Sequence, residues 1–343
     1  MSSPMNSTIE FFDIPNFTFQ DDTTLSHVRL AYQQHNRSAT KVALIPTCFR
    51  GRIHSTLNFT QGALRDYHII VIALLGNGES SSPSNTLGFP STVDYRDCVR
   101  AQHHLLTQGL GIQSIDVMLG FSMGGQCTYH WMAMYPQMIG SAVIICSSAR
   151  TSRHNYQFLE GPKAALENSA DYVAAAVERK EAGKLEAPRG LRAFGKAYSA
   201  WLTSVSWFED ELYQELGYRT LSEWDRAATD LNYRDWDPED LLVMLRMWQR
   251  GDISLCDPRC DGSLETALSK ITAPVLLMPC QTDQYFHWGA GEKEARLLAN
   301  AKCEIIPSVW GHMAGSGSSR QDTAWMDNKI EEFLKSINKD RAA

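Results

Sequence analysis

Apolar residues in this chain gather in short runs, and each run ends in small or polar residues. "KVALIPT" (41–47), "YHIIVIAL" (67–74), "IDVMLG" (115–120), "SAVIICSS" (141–148), "APVLLMPC" (273–280) and "KCEIIPS" (302–308) are too short for buried helices. They are apolar on both sides of the strand period, as strands inside a parallel sheet must be. Residues 11–19 and 27–35 alternate more and read as an antiparallel pair. Between the apolar runs the spacing changes to that of helices. "TVDYRDCVRAQHHLLTQGLG" (92–111) closes on glycine, a second helix is expected from Met123 to Met134, another around 291–299 and a last one over 321–337. Strands alternating with helices predict an α/β fold with a mainly parallel sheet.

The middle of the chain breaks this rhythm. From about 155 to 262 no strand-like run occurs, and charges and aromatics are dense, as in "RGLRAFGKAYSAWLTSVSWFEDELYQELG". The expected organisation is a core made of residues 1–154 and 263–343, with 155–262 inserted as a helical cap. Trp201, Trp207, Phe208, Tyr213, Trp224, Trp236 and Trp248 belong to that insertion. Most are expected to pack the cap onto the core, with two or three facing a pocket.

The 343 residues are 43% hydrophobic, enough for one large core, and carry a formal net charge of -7. That charge gives no basic footprint, so no nucleic-acid partner is expected. No apolar run approaches the length of about 18 residues needed to span a membrane, and neither "MSSPMNSTIEFFDIPNF" nor "NKDRAA" reads as a secretory, retention, peroxisomal or prenylation signal, so none is expected. Eight cysteines lie at 48, 98, 127, 146, 256, 260, 280 and 303. Several fall in strand-like runs, as buried thiols do, and "CDPRC" (256–260) has no second pair at zinc-ligand spacing. A reducing, cytoplasmic setting with no resident metal is expected.

The sharpest chemical signal is "GFSMGG". Ser122 ends the apolar run of 115–120 and begins a helix, with Gly120 and Gly124 two positions to either side. A serine on such a strand-to-helix turn is lifted out of the sheet, and the small residues let neighbouring backbones pass. The N–H of Met123 then faces any negative charge developing on a bound carbonyl. A second donor is expected from the loop after "KVAL", from the N–H of Cys48, with Phe49 as the alternative. An acid and a histidine should follow in that order. "VLLMPCQTDQYF" delivers Asp283 and "EIIPSVWGHMAG" delivers His312, each just past a strand end. His312 would take the Ser122 proton and Asp283 would orient the imidazole. Asp116 begins its strand and is a poorer acid. His287 lies near the expected pocket, and His103 and His104 read as helix residues.

Taken in order, "LGNGESSSPSN" (75–85), "GFSMGGQCTYHWMAMYP" (120–136), "VIICSSARTSRHN" (143–155), the cap and "ITAPVLLMPCQTDQYF" (271–286) resemble the homoserine O-acetyltransferase-like branch of the α/β-hydrolase fold. The resemblance implies that fold, an acyl-enzyme on Ser122, acetyl-CoA or another acyl-CoA as co-substrate if the acyl group goes to an alcohol, no other cofactor, and a homodimer. It also marks two departures. The family places an aspartate after its histidine to hold an amino group; here that position is Met313, which cannot pair with an ammonium. The family's Leu-Arg-Tyr in the cap resembles Leu231-Asn232-Tyr233, without the arginine. An acceptor other than homoserine, less charged and larger, is expected. Tyr233, Phe286, Phe49, Met313 and Arg150 are the expected substrate contacts, although Arg150 and its neighbour Arg153 could equally serve structure. Water is the expected acyl acceptor, giving an ester or thioester hydrolase. O-acyl transfer to a hydroxyl, a lyase or isomerase use of the same histidine, and a non-catalytic ligand-binding role are the alternatives.

Overall fold

The computed structural model describes residues 8–178 and 183–342. Its centre is an eight-stranded sheet among the described residues, in the order β1-β2-β4-β3-β5-β6-β7-β8. The strands are β1 (Glu10–Thr18), β2 (Thr24–His35), β3 (Val42–Pro46), β4 (His68–Ile72), β5 (Val117–Phe121), β6 (Ala142–Ile145), β7 (Val275–Met278) and β8 (Ala301–Cys303). β1, β2 and β4 pair antiparallel, and every pairing from β4 across to β8 is parallel.

The period of two explains how the sheet is covered. Leu44, Ile70, Met118, Ile144 and Leu277 enter one apolar cluster, while their neighbours Ile45, Val71, Leu119, Ile145 and Met278 enter the cluster on the opposite face. Helices α1 (Tyr95–His104) and α2 (Met123–Met134) cover the first face. Between β6 and β7 the chain runs through α3 (Arg153–Glu167), α4 (Ala170–Glu178), α5 (Pro188–Ser199), α6 (Val205–Glu209), α7 (Leu221–Asp225), α8 (Pro238–Gln249) and α9 (Leu264–Ser269), with no strand among the described residues. α10 (Trp288–Leu297) links β7 to β8, and α11 (Arg320–Ala342) lays Met326, Ile330 and Phe333 on the second face.

α8 is not a peripheral helix. Leu241, Leu242, Met244 and Leu245 are fully buried in the same cluster as the sheet, and the Cys98 thiol lies 3.9 Å from Met247 Sδ. The strand expected over 302–308 is shorter than its apolar run. Pairing continues past Cys303 through the N–H groups of Glu304 and Ile306, which donate to Leu277 and Pro279 at 2.8 Å each. Pro279 has no N–H to return, so the ladder is one-sided there and regular strand ends.

Candidate active site

Three strand ends converge. β5 ends at Phe121 and α2 starts at Met123, leaving Ser122 at φ 56°, ψ −125°. A non-glycine residue in that region carries strain of about 1–3 kcal/mol, tolerated only where its surroundings fix it. Here they do: the Ser122 N–H donates to the Ile145 carbonyl at 3.0 Å, and the Ser122 carbonyl accepts from the Ser147 hydroxyl at 2.7 Å. Both flanking glycines are sterically required. A Cβ at Gly120 would lie 2.4 Å from the Gly124 carbonyl oxygen, and one at Gly124 would lie 2.6 Å from the Pro46 carbonyl oxygen.

The imidazole of His312 completes the approach. Its Nε2 lies 2.9 Å from Ser122 Oγ and its Nδ1 lies 2.8 Å from Asp283 Oδ2. Asp283 Oδ1 accepts from the N–H groups of Tyr285 at 2.7 Å and Phe286 at 3.1 Å. Thr282 ties the acid loop to the histidine loop, donating its hydroxyl to the Ser308 carbonyl at 2.7 Å and accepting the Gly311 N–H at 3.1 Å. The segment between α5 and α6 also holds the histidine, because the His312 backbone N–H donates to the Leu202 carbonyl at 3.0 Å. Gly311 has φ 59°, and a Cβ there would lie 2.7 Å from Thr203 Cα, so this turn requires glycine. The rings of Phe121, Tyr285 and Phe286 surround the imidazole, with centroids 4.8, 4.9 and 5.7 Å away.

Ser122 and His312 line a cavity of about 340 Å³, within the range of small-molecule sites. Cys48, Phe49 and Met313 line it too, as the sequence suggests. The Cys48 thiol is pushed up to about 11 by burial, so it is a neutral thiol beside the serine, not a rival nucleophile. The N–H groups of Met123 and Cys48 donate to no carbonyl among the described residues. The close approach of Gly124 to Pro46 and Thr47 sets the elbow against the loop that carries Cys48.

Other expected contacts lie elsewhere. Tyr233 and Phe286 are buried just outside the lining: Tyr233 stands behind Arg50, and Phe286 packs on His312 and Trp248. Arg150 is not brought to the cavity. Its Nε meets Asp252 at 2.7 Å, and its Nη2 donates to Ser254 Oγ and the Gly262 carbonyl. Arg153 is exposed at the start of α3. None of the seven aromatics singled out between 201 and 248 lines the cavity; Trp207, Phe208 and Trp224 pack on one another, and Trp207 on Trp310. From the chain between β6 and β7, Tyr198, Leu202 and Asn232 line it. Arg50, a lining residue in the Cys48 loop, has nothing in its local pattern that distinguishes it from a surface arginine.

Cys146, at the end of β6 with φ 45°, places its thiol by the acid. Ligand atoms of Cys146, Asp283 and His312 lie within 4.8 Å of one another. A metal ion there would need the Asp283 and His312 atoms already bonded to each other, and the thiol is held well above its ordinary range by burial and by the Asp283 charge. The donor set suits the hydrogen-bonded chain better than a cation.

A serine on a strained turn, hydrogen-bonded to a histidine that a buried aspartate holds at the carboxyl edge of a parallel sheet, defines an acyl-transfer enzyme by its geometry. A model of the alpha/beta hydrolase fold matches residues 46–189. An ethyl acetate hydrolase from Pseudomonas veronii is 29% identical over 340 residues, covering 95% of each chain. A homoserine O-acetyltransferase from Corynebacterium glutamicum is 31% identical over 285 residues, covering 77% of this chain and 71% of its own. The solved structure of an acetylester hydrolase from Corynebacterium glutamicum superposes with a TM-score of 0.87 at 25% identity, covering 96% of both chains.

The chain belongs to the α/β-hydrolase fold superfamily, in its homoserine O-acetyltransferase-like branch. It is an enzyme of the serine hydrolase or O-acyltransferase kind. No helix among the described residues is long and apolar enough to cross a membrane.

Proposed function

We propose that this chain hydrolyses carboxylic esters with a short acyl group, through an acyl-enzyme on Ser122. The observation that carries the reading is the continuous chain from Ser122 Oγ through His312 to Asp283, at 2.9 and 2.8 Å, opening on a small cavity. Ser122 Oγ attacks the ester carbonyl while His312 Nε2 takes its proton. The carbonyl oxygen, now negative, lies against the N–H groups of Met123 and Cys48. Collapse breaks the bond to the alcohol, which leaves with the proton from His312. Water then gives a proton to His312 and attacks the acyl-enzyme; the acid departs and Ser122 regains its proton. Asp283 keeps Nδ1 protonated and stabilises the imidazolium throughout. Residues 155–262 act as a cap that supplies Tyr198, Leu202 and Asn232 to the cavity wall. The reaction needs no resident metal or cofactor. Eight free thiols support work in a reducing, cytoplasmic setting.

The second reading is transfer of an acyl group from acyl-CoA to a hydroxyl other than homoserine's, favoured by the 31% identity to a homoserine O-acetyltransferase. Met313, on the cavity wall, offers no partner for an ammonium group. Acid release from ethyl acetate, followed by titration, separates the two readings when Ser122→Ala is run alongside. Steady release by the parent and none by the variant is expected. Acetylation of Ser122 by acetyl-CoA, with discharge only after an alcohol is added, would replace hydrolysis by transfer.

A further inference from the structure

Arg50 is a cation in the cavity wall with no carboxylate paired to it among the described residues. It follows Cys48 and Phe49 in the loop after β3, at φ 57°, and lines the same cavity as Ser122 and His312. Its Cζ lies 4.6 Å from the centre of the Tyr233 ring, and Nη1 lies 3.5 Å from the Tyr233 hydroxyl, a weak contact. Its Nε is buried with no hydrogen-bond partner. Among the described residues no carboxylate forms an ion pair with it. Burial is the largest influence on its charge, followed by Tyr233, Tyr198 and Cys48; those three are neutral at pH 7, since burial raises each of their pKa values, and the other charge in reach is the like charge of Arg52.

Its neighbour shows the contrast. Arg52 lies over the Trp236 ring, donates to the Asn77 carbonyl and feels the charges of Glu79 and Asp240. Arg150, Arg96 and Arg246 each hold a carboxylate at 2.7 Å or less. Removing a guanidinium from water without a partner anion is costly, and a ring face compensates only part of that cost. A guanidinium without a partner anion, in the wall of the cavity that holds the nucleophile, is therefore a binding element for something that arrives with the substrate.

We propose that Arg50 receives a carboxylate carried by the ester, so that the preferred substrates are esters with one free carboxylate in the acyl or the alcohol half. This rests on the ester-hydrolysis reading for the reaction but not for the binding. Charge favours a carboxylate over a phosphate. One guanidinium faces the cavity from this side, which matches a single negative charge, whereas a phosphate monoester carries nearly two at pH 7. The cavity of about 340 Å³ leaves room for a short chain between the two groups.

The test uses four esters in two matched pairs: 4-acetoxybutanoate with 4-acetoxybutanamide, and monoethyl succinate with ethyl succinamate. In each pair a carboxylate becomes a neutral amide of the same shape. Affinities are measured by calorimetry on the Ser122→Ala protein, which binds without turnover. In at least one pair the carboxylate should bind about tenfold tighter than the amide, as a charge-assisted hydrogen bond supplies. That ratio should fall to about one in Ser122→Ala/Arg50→Gln. Arg50→Met, whose apolar stem still packs on Tyr233, is the second variant should Gln disturb the loop.

Equal binding of both members of both pairs in the parent background overturns the proposal without any variant. So does a carboxylate preference that survives loss of Arg50. Turnover of the same esters by the protein with Ser122 intact is read separately. Hydrolysis of the neutral esters with no carboxylate preference removes the Arg50 assignment and keeps the reaction. A binding preference with no turnover of any of the four does the reverse.

Discussion

Asp283 reaches His312 with one oxygen and gives the other to its own chain. Oδ2 lies 2.8 Å from Nδ1, while Oδ1 accepts two N–H groups from Tyr285 and Phe286. In Asp283→Asn the two N–H groups hold the amide oxygen, so the NH₂ must face Nδ1. The imidazole then accepts at Nδ1 and carries its hydrogen on Nε2, where it can no longer take the serine proton. A fall in kcat of about 10³–10⁴ is expected with KM little changed. Hydrolysis of p-nitrophenyl acetate measures it, and a loss of less than tenfold would show that Asp283 is not the orienting acid.

Gly120→Ala should remove the elbow rather than weaken it. The new methyl would lie 2.4 Å from the Gly124 carbonyl oxygen and 2.5 Å from Thr128 Oγ1. Backbone cannot yield as a side chain can, so a cost of several kcal/mol is expected, at or above the usual 1–3 kcal/mol for overpacking. Thermal unfolding and fluorophosphonate labelling of Ser122 should both drop. Full labelling at an unchanged melting temperature would contradict the steric argument.

Glu294 gives stability a pH dependence that can be isolated. It is buried, takes the Tyr129 hydroxyl at 2.7 Å and the Ala149 N–H at 2.9 Å, and its pKa is raised to about 7 by desolvation. A raised pKa means that the folded state holds the proton more tightly than the unfolded one. The stabilisation is complete below the ordinary glutamate range near 4.5 and is lost as pH rises through about 7. The loss amounts to about 3 kcal/mol. In Glu294→Gln the melting temperature should fall several degrees less between pH 5 and pH 8 than in the parent. Equal falls in the two proteins would remove Glu294 as the source.

Arg150 is expected to hold structure, not substrate. Its pair with Asp252 joins the loop after β6 to residues 252–262, and about a third of its side chain is exposed, so solvent weakens the pair. Arg150→Met should cost about 1–2 kcal/mol and leave KM for ethyl acetate within about twofold. A tenfold rise in KM at an unchanged melting temperature would return Arg150 to the substrate site.

The parallel sheet was legible because its strands are short apolar runs that only burial on both faces explains, and the site was legible where a backbone constraint writes itself into residue type. Gly120, Ser122 and Gly124 record a steric need, and Asp283 and His312 follow strand ends that the pattern already marks. The substrate wall is recorded differently. Tyr198, Leu202 and Arg50 reach the cavity through the packing of α5 and the Cys48 loop, a relationship between distant segments with no local signature. The pairing of Arg150 with Asp252, 102 residues away, is equally invisible in the run "SSARTSRHN". Met313 and Asn232, taken alone, suit a less charged substrate; Arg50, over the Tyr233 ring, adds a guanidinium to the same cavity wall.

Cys146 carries a consequence for how such a site can change. It ends β6 as Asp283 follows β7, and the two strands are neighbours in the sheet. Its sulfur lies within 4.8 Å of both the carboxylate and the imidazole. Two positions that follow neighbouring strands therefore bring side chains to the imidazole's surroundings, within 4.8 Å of one another. A lineage could place a carboxylate at 146, tolerate loss of the one at 283, and free the β7 loop for another purpose without the histidine ever being left unaccompanied.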